Sequence, residues 1–162
     1  DWNGYSSAMF YVIAYVLMTL GIFAMILILS REGFEAENIS DFKGLNKRNP
    51  WYALVGLIIL LSLAGIPPTI GFYAKLAVLQ AVVSAGFIWV AVAAVLFSLV
   101  GAFYYLRIIK FMYMDDPEEN APLLPNLDAK LLISANGLSL IVLGVFPQTL
   151  MGLSLFAIQN TM

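Results

Sequence analysis

The sequence predicts an all-α integral membrane protein, one transmembrane helical domain over residues 1–162 with about four spans, the second broken at Gly65–Pro68. Three observations predict it. Apolar residues make up 62% of the chain and charged residues 11%, where a soluble domain carries about a quarter charged residues. The charges fall in short clusters, separated by apolar stretches longer than the roughly 18 residues a spanning helix needs. One of those stretches contains Gly65-Ile66-Pro67-Pro68, a run that no continuous helix accommodates.

The elements follow in order. Residues 7–30 form an apolar run of 24 residues, which as a helix rises about 36 Å and crosses a hydrocarbon core of about 30 Å with some tilt. Residues 31–49 form the main polar loop, with Arg31, Lys43, Lys47 and Arg48 set against Glu32, Glu35, Glu37 and Asp41. Residues 51–84 carry a single charge over 34 residues, and an unbroken helix of that length would measure about 51 Å, too long for the bilayer. The prolines resolve the excess. Each removes a backbone donor and clashes with the preceding turn, so the span is read as two half-helices broken near 65–69. A turn at Ser84-Ala85-Gly86-Phe87 leads to a third span at 88–113, whose Arg107 and Lys110 suit a helix C-terminus and lipid headgroups. Residues 115–130 read as a second polar loop, rich in acids and broken by Pro117, Pro122 and Pro125. Residues 131–158 form the fourth span, which Pro147 is expected to kink near Val145.

Composition also excludes functions. With no cysteine and no histidine, the chain has no disulfides, no thiol nucleophile and no thiolate or imidazole ligand for zinc or haem. Its net charge of −2 comes without a basic stripe, so nucleic acid is not a partner. Basic residues in short loops set orientation. Seven of the eight cations lie in or beside the loops 31–49 and 115–130, which are therefore placed in the cytoplasm, with both chain ends and the Gly86 turn on the periplasmic face of a bacterial inner membrane.

The eighth cation is Lys75. It lies seven residues past Pro68 and nine before Ser84, roughly 13 Å from the far end of its helix, farther than a lysine stem spans comfortably. A lysine at the centre of a membrane helix costs about 2.5–3.5 kcal/mol and is usually kept for a water-filled cavity or a partner. Desolvation can bring a buried lysine from about 10.4 toward neutral pH, where it becomes a proton carrier. No carboxylate lies within the spans, so the partners of Lys75 are expected outside these residues. The break has two readings. It is a kink relieving hydrophobic mismatch, or it frees backbone groups beside a cavity, as in transporters; Lys75 close by favours the second, with Gly65, Pro67, Pro68 and Gly71 as its hinge. Ser62, Thr69, Tyr73 and Ser98 are secondary candidates for lining a water path, and Ser134, Asn136 and the Tyr11, Tyr15, Thr19 face of the first span read more simply as interhelical packing.

The stretch Ala64-Gly65-Ile66-Pro67-Pro68-Thr69-Ile70-Gly71-Phe72-Tyr73-Ala74-Lys75, preceded by Asp41-Phe42-Lys43-Gly44-Leu45 and followed by Phe103-Tyr104-Tyr105-Leu106-Arg107-Ile108, closely resembles the antiporter-like membrane subunits of respiratory complex I, the proton-pumping NADH:quinone oxidoreductase. The resemblance covers essentially the whole chain. It implies a subunit of two inverted repeats, of which these residues are the C-terminal part, with Lys75 on the proton path. It also implies that the N-terminal repeat, with its carboxylate–lysine coupling, is missing here. NADH, FMN, iron–sulfur clusters and quinone would then belong to partner subunits, with no redox chemistry on this chain. Its partners would be the other membrane subunits of complex I and the lipid bilayer. Two alternatives stand beside this reading: a subunit of a multi-subunit sodium/proton antiporter, and a non-catalytic membrane scaffold.

Overall fold

The computed structural model describes residues 2–30, 35–118 and 122–161. Asp1, Arg31, Glu32, Glu119 and Met162, which figure in the sequence expectations, lie outside the described residues. The elements are α1 (Trp2–Leu29), a single 3-10 turn (Ile39–Phe42), α2 (Leu45–Arg48), α3 (Pro50–Ala64), α4 (Ile70–Ser84), α5 (Ile88–Met114), α6 (Leu127–Val145) and α7 (Pro147–Thr161). Among the described residues, Asn3–Leu29, Ile88–Met114 and Leu127–Val145 are each long and apolar enough to cross a membrane, while α3 and α4 are shorter apolar helices.

α1 occupies the middle of the bundle and packs against α3, α4, α6 and α7. Its buried stripe runs through Phe10, Ala14, Met18 and Met25. Apart from Asn3, Thr19 and the hydroxyls of its tyrosines, the rest of its surface is apolar too, as expected of a helix whose solvent is lipid or protein on most sides. Polar groups in the bundle serve as clasps. The Asn136 Nδ2 on α6 donates to the Leu17 carbonyl of α1 at 2.9 Å, and the Trp51 indole N–H on α3 donates to Ser134 Oγ on α6 at 2.9 Å. α5 packs on α3 and α4, and its outer face is open: Trp89 is 84% and Phe97 77% exposed. Water would not tolerate that surface.

The helix ends follow local chemistry. α3 starts at an Asn49 cap whose side chain accepts from the Tyr52 N–H, with Pro50 at the first helical position. It stops at Gly65, whose φ of +82° is the left-handed conformation that glycine adopts without a Cβ penalty. Three boundaries differ from the sequence reading. α1 begins at Trp2, taking in Asn3 and Ser6, whose hydroxyl donates to the Asn3 carbonyl at 3.2 Å within the first turn. α6 begins at Leu127, inside the expected second loop, where Asp128 in its first turn suits the positive end of the helix dipole. The fourth span is not one kinked helix: it divides at Phe146 into α6 and α7, because Pro147 cannot donate and its ring displaces the carbonyl four residues back, which makes it a good first residue of a new helix.

The two polar loops meet at one end of the bundle. Lys43 pairs with Glu118 and Lys47 with Asp116, and the Gly44 N–H donates to the Phe111 carbonyl at 2.9 Å. Lys43 Nζ and Arg107 Cζ lie 5.7 and 5.6 Å from the centre of the Phe111 ring. By chain direction the start of α1, the Gly86 turn and the end of α7 lie at the other end.

Candidate functional site at the interrupted helix

Two prolines and a glycine stop α3, and the physical question in a membrane is where the freed backbone groups go. The Gly65 N–H donates to the Leu61 and Ser62 carbonyls, both at 3.0 Å, and the Ile66 N–H to Leu61 at 2.9 Å. The Ile66 carbonyl accepts from the Thr69 N–H at 3.3 Å and from Thr69 Oγ1 at 2.7 Å. α4 restarts with its Gly71 N–H donating to Ser62 Oγ at 3.1 Å. The hydroxyl of one half-helix therefore caps the start of the other. This needs a close approach, since a Cβ on Gly71 would sit 1.8 Å from the Ser62 carbonyl oxygen. Thr69 and Ser62 are 2% and 0% exposed.

The last two carbonyls of α3 are taken by Lys75. Its Nζ donates to Leu63 at 3.0 Å and Ala64 at 3.1 Å, with its stem laid across Gly65, where a Cβ would come 2.9 Å from Lys75 Cδ. A cation at a helix C-terminus is favourable. Hydrogen bonds from a charged donor contribute about 1.5–3 kcal/mol each, so two of them are of the size needed to offset the about 2.5–3.5 kcal/mol of placing a lysine at this depth. Among the described residues no acidic side chain bonds Lys75. Carbonyls hold the ammonium without neutralising its charge.

Of the residues singled out from sequence, Gly65, Pro67, Pro68, Thr69, Gly71, Ser62 and Lys75 come together in this joint. Ser62 and Thr69 are engaged in backbone hydrogen bonds there. Tyr73 instead lines a cavity of about 290 Å³ between α4, α7 and α1. Ser98 lies half-buried on α5 and makes no hydrogen bond to the break among the described residues. Sequence reasoning looked for a carboxylate relay partner of Lys75 outside these residues; what holds its ammonium within the chain is backbone, which leaves no side-chain signature. It also missed Gly144. This buried residue of α6 faces the break so closely that a Cβ would lie 2.0 Å from the Pro68 oxygen and 2.7 Å from the Ile70 nitrogen. The signal was there, in the spacing of Ile133, Gly137, Leu140 and Gly144 along one face. The two interrupted helices thus touch at their interruptions.

Comparison with known proteins bears on this arrangement. Residues 2–101 match the family described as NADH:quinone oxidoreductase/Mrp antiporter, transmembrane. The chain is similar to NADH-quinone oxidoreductase subunit N of Nitrosomonas europaea, 67% identical over 99% of this chain and 33% of the relative. It is also similar to subunit N of Thiobacillus denitrificans, 64% identical over 98% of this chain and 33% of the relative. It spans about a third of the length of these curated relatives. Among solved structures, a chain of respiratory complex I from Thermus thermophilus superposes with a TM-score of 0.81 at 30% identity, over 91% of this chain and 34% of that one. A chain of the Mrp complex from Dietzia shares the fold, with a TM-score of 0.78 at 24% identity over 99% of this chain and 38% of that one. With a match over residues 2–101 of 162, the chain belongs to the NADH:quinone oxidoreductase/Mrp antiporter transmembrane family.

Proposed function

We propose that this chain is part of a proton-translocating membrane subunit of NADH:quinone oxidoreductase, contributing a proton half-channel in which Lys75 in the broken helix is the intramembrane carrier. The observation that carries the proposal is the hold on Lys75: an ammonium inside the membrane whose partners are two carbonyls freed by the break. When the lysine swings away, those carbonyls need a donor, and water is the available one. Loading and release of the proton are thereby tied to the state of the joint. NADH oxidation and quinone reduction, with FMN and iron–sulfur clusters, would take place in partner subunits. The other membrane subunits and the remaining two-thirds of a subunit the size of the relatives would surround this chain. The proposed location is a bacterial inner membrane, with loops 31–49 and 115–130 cytoplasmic and the chain ends periplasmic. A sodium/proton antiporter subunit is the second reading, favoured by the family description, which spans both classes.

The test compares Lys75→Ala with Lys75→Arg in native membranes, measuring proton translocation against NADH:quinone turnover, with assembly followed on native gels. Arginine keeps a cation and its donors but does not release a proton. Loss of translocation in both variants, with Lys75→Arg assembled normally, supports the carrier. Full pumping by Lys75→Arg makes the lysine a helix cap and refutes the proposal. Copurification with flavin and iron–sulfur subunits separates the two family classes.

A further inference from the structure

Among the described residues, three hydrogen bonds join the two half-helices across the break. Lys75 Nζ on α4 donates to the Leu63 and Ala64 carbonyls of α3 at 3.0 and 3.1 Å, and the Gly71 N–H of α4 donates to Ser62 Oγ at 3.1 Å. Their order along the helices is regular. Ser62 directly precedes Leu63 and Ala64, and Gly71 precedes Lys75 on α4 by about one helical turn. The serine bond and the lysine bonds are therefore successive rungs between the same two backbones.

The rungs differ in kind. The lysine rung hangs from a flexible four-carbon stem and is undone whenever the side chain turns away. The serine rung joins a short, fully buried side chain to a backbone N–H. With the lysine withdrawn, it is the one hydrogen bond left between α3 and α4 among the described residues. Everything else that seats the start of α4 is packing. A Cβ on Gly71 would come 2.9 Å from Met18 Sδ of α1, and one on Gly144 of α6 would come 2.7 Å from the Ile70 nitrogen. Dispersion has no direction and a thioether adapts its shape, so these contacts set how close α4 lies and leave its register along α3 to the serine. The register decides what the lysine reaches. Successive carbonyls of a helix are turned by about 100° from one another, so only a narrow seat brings one ammonium within hydrogen-bond distance of both.

We infer that Ser62 is a positioning residue for Lys75: its bond to Gly71 fixes the register of α4 on α3, so that the ammonium can leave the Leu63 and Ala64 carbonyls and return to the same seat. The effect on proton transfer rests on the reading of Lys75 as the carrier, while the seat itself does not. The test uses the full-length subunit in the assembled complex. Ser62→Ala removes the acceptor, Ser62→Cys keeps nearly the same volume with a weak acceptor, and Ser62→Thr restores the hydroxyl. Two quantities are read, the position of Lys75 in the structure of each variant complex and proton translocation per assembled complex. In Ser62→Ala, or in Ser62→Cys where Ser62→Ala does not assemble, at least one Nζ–carbonyl distance should exceed about 3.5 Å. Because a misplacement of about 1 Å can cost on the order of a hundredfold in a transfer step, translocation should fall by about tenfold, and Ser62→Thr should recover it. A lysine still on both carbonyls overturns the inference, because Ser62 is then a helix cap and nothing more. Undiminished translocation from a displaced lysine overturns it too, as does a loss in Ser62→Thr with the Gly71 bond intact. The two readings fail separately. Full pumping by Lys75→Arg refutes the carrier and leaves the measured seat standing, whereas an unmoved lysine in Ser62→Ala beside an inactive Lys75→Arg refutes the role of Ser62 alone.

Discussion

At Ser62 one side chain joins two helices. Its hydroxyl accepts the Gly71 N–H, a buried donor with no other partner in the joint. Ser62→Ala leaves that donor unpaired, which costs about 1–3 kcal/mol. The expected outcome is a lower unfolding temperature in detergent, and an unchanged one would mean that water replaces the hydroxyl. Gly144 makes a sharper case. A methyl group there meets Pro68 and Thr69 backbone at 2.0 and 2.5 Å, and backbone cannot turn aside as a long side chain can. Gly144→Ala is expected to destabilise by about 1–3 kcal/mol or more through overpacking. At Gly152 on α7 a methyl group would have nothing within 4 Å, so Gly152→Ala should be neutral or gain up to about 1 kcal/mol of helix propensity. Thermal unfolding of the pair decides whether the contact between the two interruptions bears stability.

At the scale of elements, the loops form a strap whose charges titrate in opposite directions. The hydrogen bond from Lys47, with its charge, holds Asp116 below the ordinary carboxylate value of 3.8, so its contribution is complete above that value and is lost as pH falls through the lowered one. The hydrogen bond to Glu118 holds Lys43 above its ordinary 10.5, so that contribution is complete below 10.5 and is lost as pH rises through the raised value. The strap should therefore be closed through the neutral range and loosen at both extremes, and it should loosen with salt because the pairs are exposed. Amide exchange of Gly44, whose N–H donates to Phe111, reads this directly; protection independent of pH and salt would show that backbone contacts alone hold the loops. These pairs were not legible in the sequence, since Lys43 and Glu118 are 75 residues apart and nothing local links them. The α3–α4 break was legible, because two adjacent prolines act on the backbone wherever they stand. The α6–α7 break was half legible: Pro147 announces a disturbance, but whether a helix bends or restarts depends on neighbours, here the backbone of Pro68 to Ile70 against Gly144. Lys75 was legible as an anomaly of charge, and its partners were not, because carbonyls belong to every residue.

For the whole molecule, the decisive asymmetry is of charge between its two ends. Lys43, Lys47, Arg48, Arg107, Lys110 and Lys130 lie in or beside loops that the Lys43–Glu118 and Lys47–Asp116 pairs bring to one end, and the opposite end carries only uncharged described residues near the Gly86 turn. Basic residues in short loops are retained on the cytoplasmic side, so the proposed orientation follows from the strap as much as from the count of cations. In the proposed function this orientation sets the direction in which Lys75 would pass a proton between the loop end and the opposite face. Single cysteines at exposed positions test this in a chain with none of its own. Glu37→Cys and Asn126→Cys, one in each loop, should react with a membrane-impermeant maleimide in inside-out vesicles and stay unmodified in intact spheroplasts, while Ala85→Cys at the end of α4 should do the reverse. Labelling of the two loops from opposite faces would contradict the strap itself. Labelling of both loops in spheroplasts, with Ala85→Cys protected, would keep the fold and invert the proposed orientation, and with it the direction proposed for Lys75.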